Sequence, residues 1–263
     1  MDLVIHLFVL CLGLAIGSFL NVCIYRLPAK RSLLRPGSHC PHCGSPIRPY
    51  DNIPLLSYLI LTGRCRQCKA KISIRYPLVE LLTGLLFVAL FVVYGPTLQF
   101  LIFSLLVASL LVITLIDLDL SIIPDRITLP GIVIGLLLSP FSTHLGSGVR
   151  GITTAAIGLA VGGILFFLIA LLGELIFKKE SMGGGDIKLA AMLGAFLGWK
   201  GALVSFFLAF FVGAIVGGVM VLVSSKGRGS RIPFGPFLAL GATCYLLLGD
   251  LMMKAYWLYV SLL

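Results

Sequence analysis

Long apolar runs, broken by short polar turns, set the pattern of this chain. The first run covers residues 3–24, and a stretch of about 22 residues is long enough to cross a bilayer core of about 30 Å. Runs at 75–93, 98–116, 152–177 and 202–223 predict further spans, and shorter ones at 127–141 and 187–197 predict two more. An eighth follows the rigid entry Ile232-Pro-Phe-Gly-Pro236 and ends near Tyr256. No small-residue cleavage site follows the first run, so it reads as a retained span and not as a removed signal peptide. The one sizeable polar insertion lies between the first two spans, at residues 29–74.

Composition strengthens this reading. The chain has 263 residues, 59% hydrophobic and 11% charged, whereas soluble domains are roughly 25% charged. The expectation is an all-α polytopic membrane protein with about eight transmembrane helices. The net charge of +10 adds an orientation. Ten of the twenty basic residues lie between Arg26 and Arg75, where Asp51 is the only acid. Short loops rich in Lys and Arg stay cytoplasmic, which places the insertion inside and, with eight spans, both termini outside. Lys178 and Lys179 at the end of the fifth span fit the same pattern. A basic loop this short does not point to nucleic acid, and no nucleic-acid partner is expected.

The insertion holds Cys40-Pro-His-Cys43 and Cys65-Arg-Gln-Cys68, two pairs separated by 21 residues. Each pair presents two thiolates from one tight turn, and two such turns complete a tetrahedral four-sulfur site. Gly44 and Lys69 follow the pairs and suit the turns. Cytoplasmic placement argues against disulfides. The expected metal is zinc, held by Cys40, Cys43, Cys65 and Cys68; with no open position it is structural, and His42 is not needed as a ligand. Cys11, Cys23 and Cys244 sit in apolar runs as packing residues.

Polar groups inside the spans carry the remaining chemistry. Gly13 and Gly17 have the Gly-x-x-x-Gly spacing of close helix packing. Asn21 needs a partner inside its span, either a polar ligand or a neighbouring helix. Glu80 stands one turn into the second span, either as a carboxylate favoured by the helix dipole and paired with Arg75 or as a binding group. Asp117, Asp119 and Asp125 put three of the ten acids within nine residues. Asp117 continues an apolar helix and is the one expected to be desolvated; Asp119 is a solvated helix end or a partner of the site; Asp125 suits an N-cap. Asp186 follows three glycines in Ser181-Met-Gly-Gly-Gly-Asp-Ile-Lys188.

Alternation of spans puts Asp117 and Asp186 at the same membrane face although 69 residues separate them. Two carboxylates that share a site hold a single proton between them, and such a pair can activate water and protonate a leaving amine. The same pair could bind the coupling ion of a proton- or cation-coupled transporter. The residues alone leave both readings open, beside a non-catalytic assembly scaffold.

Six motifs in order carry a resemblance over nearly the whole chain: Gly17-Ser-Phe-Leu-Asn-Val22, the paired Cys-x-x-Cys loop, Arg75-Tyr-Pro-Leu-Val-Glu80, the Asp117 to Asp125 segment, Gly183-Gly-Gly-Asp186 and Ile232-Pro-Phe-Gly-Pro236. Together they resemble the bacterial type IV prepilin peptidases, bifunctional leader peptidases and N-methyltransferases of pilus assembly and type II secretion. The resemblance implies an intramembrane aspartyl protease of the Gly-x-Gly-Asp type, with Asp117 and Asp186 catalytic and Asp119 as the alternative first aspartate. It implies a methyltransferase region over residues 1–95 and a peptidase membrane domain over 96–263. It also implies prepilin or pseudopilin substrates, S-adenosylmethionine as methyl donor, and a place among the lipids of the bacterial inner membrane. No Gly-rich dinucleotide fingerprint is present, and the donor site is expected near Asn21, Glu80, Gly84 and the zinc-braced loop.

Overall fold

The computed structural model describes residues 2–178, 182–223 and 233–261. Lys179, Ser181, the loop at 224–231 and Ile232 lie outside the described residues. All the long elements are helices, with no strand among the described residues. The chain divides into two compact units, Met1–Pro96 and Thr97–Leu263.

In the first unit, α1 (Asp2–Arg26) and α3 (Arg75–Tyr94) run antiparallel. His6 meets Phe91 edge-on near one end, and Asn21 bonds the Tyr76 carbonyl near the other. Between them the backbones approach closely. A Cβ on Gly13 would lie 2.8 Å from Gly84 Cα, and one on Gly17 would lie 2.7 Å from Glu80 Cα. Lipid gives two apolar helices no hydrophobic reason to associate, so close van der Waals contact through small residues takes over. The Gly-x-x-x-Gly spacing is therefore packing. The insertion contains a single short helix, α2 (Leu56–Ile60), and a 3-10 turn at Pro49–Asp51.

In the second unit, α4 (Leu98–Leu120) is capped by Thr97, whose side chain accepts the Phe100 N–H. It ends at Ser121 in a left-handed conformation. α5 (Asp125–Leu138) is short and has Pro130 inside it, where the missing N–H removes one helix bond. α6 (Gly148–Phe177) and α7 (Gly184–Val223) meet through backbone; a Cβ on Gly194 would lie 2.0 Å from the Gly158 carbonyl oxygen. α8 (Gly235–Ser261) closes the unit.

α7 is a hairpin. Gly198 has φ 69° and ψ 174°, a conformation that interrupts the helix and that glycine adopts without strain. Gly194 and Gly198 pack against Gly158, and Phe206 packs against Phe166, so the second half returns along α6. The two runs expected at 187–197 and 202–223 thus form the two arms of this hairpin. Among the described residues five helices are long and apolar enough to cross a membrane, α7 among them as one piece. The protein is an all-α polytopic membrane protein with a four-cysteine insertion between its first two long helices.

Candidate active site and cofactor cavity

The second unit brings the two aspartates together. Asp117 sits on the last turn of α4, 4% exposed, and its Oδ2 accepts the Gly235 N–H at 2.9 Å. Gly235 is bare where it touches the carboxylate: a Cβ there would lie 2.7 Å from Oδ2. Asp186 is on the first turn of α7, and its N–H donates to Gly183 O at 3.1 Å. Gly185, next to Asp186, and Gly235, on the Asp117 carboxylate, both close on Ile123, which brings the two helix ends to one place. Its Oδ1 is buried and has no hydrogen-bond partner. An unpaired buried carboxylate oxygen is costly in a finished fold and marks a place for water or substrate.

The glycines before Asp186 have separate tasks. A Cβ on Gly185 would lie 2.8 Å from Ile123 Cβ, so this residue admits the segment that follows α4. Gly184 faces open space. Asp119 is exposed, one step beyond the buried register of α4. Asp125 departs from its expected role: Pro124 is the N-cap of α5, and both Asp125 oxygens receive the Lys188 ammonium at 2.7 Å. The pair ties the first turn of α5 to that of α7.

In the first unit the four cysteines converge. All four Sγ atoms lie within 4.8 Å of one another, with Cys40 and Cys68 sulfurs 3.8 Å apart. A tetrahedron with zinc–sulfur legs of about 2.3 Å has edges of about 3.8 Å, so the donor set fits that ion. The two turns are built alike. Cys40 N–H donates to Ser45 O and Cys65 N–H to Ala70 O, both at 2.9 Å, and Gly44 and Lys69 supply the left-handed residue of each turn. Contacts with Ser45, first its hydroxyl and then its backbone, pull the Cys43 thiol down to about 6. Backbone bonds from Cys68 and then Gln67 also lower Cys65. Both shifts favour the thiolate that binds metal, whereas Cys68 goes the other way: its backbone bond with Ala70 lowers it, but desolvation and the Cys43, Cys65 and Cys40 sulfurs beside it push it up to about 11.

Beside these turns lies a cavity of about 630 Å³, walled by α1, α3 and the insertion. Asn21 and Glu80 both line it, each 9% exposed. The Asn21 Nδ2 is used on Tyr76 O at 3.1 Å, which leaves its Oδ1 for a ligand. Glu80 Oε2 accepts the Leu55 N–H at 2.9 Å, and the Ser18 side chain bonds the same carboxylate. Leu55 holds φ 59° with ψ -50°, a positive-φ conformation rare for leucine, at the point where it meets Glu80. Gly84, expected beside the cofactor, does not line the cavity. It lies on the α3 face toward α1, and a Cβ there would lie 3.0 Å from the methyls of Leu10 and Leu14.

Ser18 and Arg26 were not singled out from the sequence, yet both line the cavity. Their signal was the spacing 18, 22, 26, which puts three residues on one face of α1. Gly235 carried no comparable signal. Between the cysteine turns, Tyr50 stacks with Arg48 and Arg66, while Asp51 binds Arg66 at 2.6 Å. That guanidinium holds Asp51 below the usual carboxylate range.

The chain resembles known proteins along most of its length. Residues 11–94 match the bacterial peptidase A24 N-terminal domain, and residues 104–218 match the type IV leader peptidase family. A Myxococcus xanthus protein named prepilin leader peptidase/N-methyltransferase is 44% identical over 83% of this chain, which spans 64% of that relative. A Pseudomonas aeruginosa protein of the same name is 40% identical over 95% of this chain and 93% of its own length. An Aeromonas hydrophila relative with that name is also 40% identical, over 93% of this chain and 91% of its own. No solved structure matches. This kinship gives the transporter reading no support. The chain belongs to the type IV leader peptidase family.

Proposed function

We propose that this chain removes the basic leader from prepilins or pseudopilins with Asp117 and Asp186 and then methylates the new N-terminus. The observation that carries the first step is the buried, unpartnered Asp186 Oδ1 beside a second carboxylate pinned by Gly235. One ionised carboxylate takes a proton from water. The hydroxide adds to the scissile carbonyl carbon, and the other carboxyl gives its proton to the departing amide nitrogen as the C–N bond breaks. Gly184, with open space where a side chain would be, leaves room for the substrate backbone next to Asp186.

The second step belongs to the cavity of the first unit. Its volume and its mix of buried carboxylate, carboxamide and basic groups suit S-adenosylmethionine. When bound, that donor supplies a methyl group activated on a sulfonium. Glu80 then takes a proton from the substrate ammonium, and Asn21 Oδ1 orients a donor group. The Cys₄ zinc braces the loop that walls the cavity; it is structural. Leader recognition at the cytoplasmic face of the inner membrane agrees with the basic insertion.

One assay tests the whole reading. Purified protein incubated with a prepilin and S-adenosylmethionine should release the leader and add one methyl to the mature N-terminus, both read by mass spectrometry. An intact prepilin would overturn the peptidase reading. A cleaved but unmethylated product would overturn the second step alone.

A further inference from the structure

Arg26 is the one buried basic residue among the described residues, 8% exposed at the last turn of α1. Its Nη1 donates to Ser32 O at 3.1 Å and to Leu33 O at 3.3 Å, and its Nη2 donates to Gly37 O at 3.4 Å. These bonds leave the Nε–H and one Nη2–H without a partner. Three carbonyls solvate the guanidinium in part, but no carboxylate of the described residues neutralises it. A buried full charge is ordinarily paired.

The other charges of the cavity do not supply the missing partner. Six basic residues line it against two acids, Asp51 and Glu80. Asp51 is paired with Arg66, and Glu80 bonds the Leu55 N–H and Ser18 and forms no ion pair with Arg26, whose bonds go to the Ser32, Leu33 and Gly37 carbonyls. Arg31 and Arg35 are exposed, so water serves them. Arg26 alone is both shielded from solvent and short of an anion. A guanidinium with donors to spare suits a carboxylate, which it binds through two parallel N–H···O bonds.

We propose that Arg26 binds the carboxylate of the methyl donor's amino-acid tail in this cavity. The inference rests on reading the cavity as the donor site. The loop carbonyls of Ser32, Leu33 and Gly37 fix the guanidinium so that its remaining donors face the ligand. Arg26 is a binding residue that anchors the donor tail; it does not touch the transferred methyl.

The test compares two ligands that differ only in that group. Equilibrium binding of S-adenosylmethionine and of decarboxylated S-adenosylmethionine would be measured on the full-length protein in detergent, as wild type, Arg26→Gln and Arg26→Lys. Wild type should prefer the carboxylated donor by about 10- to 100-fold. Arg26→Gln should bind both ligands equally, and Arg26→Lys should keep a reduced preference. A merely structural Arg26 would weaken both ligands and leave their ratio intact, which overturns the proposal. So does a wild type with no preference, whatever the variants do. A wild type that binds neither ligand overturns the donor-site reading itself, and the proposal with it.

Discussion

The cavity of Met1–Pro96 is shaped by side chains, whereas the carboxylate site of Thr97–Leu263 is shaped by backbone. In the first unit a polar loop is held by four cysteines, by Arg26 on three carbonyls and by Arg66 on Asp51. In the second, helix ends come together where glycines leave room, at Gly185 against Ile123 and Gly235 against Asp117. A site of the first kind depends on charge and metal; one of the second kind depends on the absence of a few atoms. The two proposed activities should therefore fail under different insults.

The largest separation is expected from the aspartates. Asp117→Asn and Asp186→Asn should each lower leader cleavage at least about 10³-fold while methylation of a precleaved substrate persists. Cleavage retained in either variant would remove the pair from the mechanism. Metal removal should act in the opposite sense. A strong chelator, or Cys40→Ser, should lower methylation about 100-fold or more, because a structural zinc site contributes folding energy to its loop. Leader cleavage should stay within about 2-fold of the untreated protein; equal losses of both activities would erase the contrast.

Gly235→Ala tests the backbone-built site at one atom. The added methyl would meet Asp117 Oδ2 at 2.7 Å. Misplacing a catalytic group by a fraction of an ångström should lower cleavage about 10- to 100-fold and leave the zinc content unchanged. The smallest effect is expected at Asp51. Arg66 lowers its pKa, so the ion pair is intact above the ordinary carboxylate range near 4 and is lost only as pH falls through the lowered value. Asp51→Asn should raise proteolysis of the loop by about 2- to 3-fold at neutral pH. The variant should also lack the acid-side increase in proteolysis expected of wild type as the pair is lost.

The aspartates and the cysteines were legible in the sequence because each signals locally. A carboxylate at the end of an apolar run and a Cys-x-x-Cys turn need no distant residue to be noticed. Gly235 was not legible as a partner of Asp117. The stretch between them carries no periodicity that would pair a backbone N–H with a side chain 118 positions away. Arg26 was legible as the last position of the 18, 22, 26 face of α1 and as one charge among ten in a basic segment, but not as a buried group. Its burial depends on how residues 32–37 fold over it, which a hydropathy pattern does not contain. The packing role of Gly84 was hidden for the opposite reason. It is the third glycine of the α1–α3 contact, and the Gly-x-x-x-Gly spacing on α1 gave no sign of where its counterpart lay.

The break at Gly198 bears on how this protein is threaded into lipid. A straight helix of 40 residues would be about 60 Å long, twice the thickness of a bilayer core. The hairpin has no polar loop to pass across, only the Trp199 and Lys200 pair, whose ammonium lies 5.4 Å from the indole centroid. Its two arms must enter the bilayer together. From Asp186 to the bend the first arm is about 18 Å long, less than the core it enters. With the bend at the far surface, Asp186 hangs below the near one, at a depth fixed by the count of residues in that arm. One residue added between Asp186 and Gly198 would move the carboxylate by about 1.5 Å and turn it about a quarter of the way around the helix.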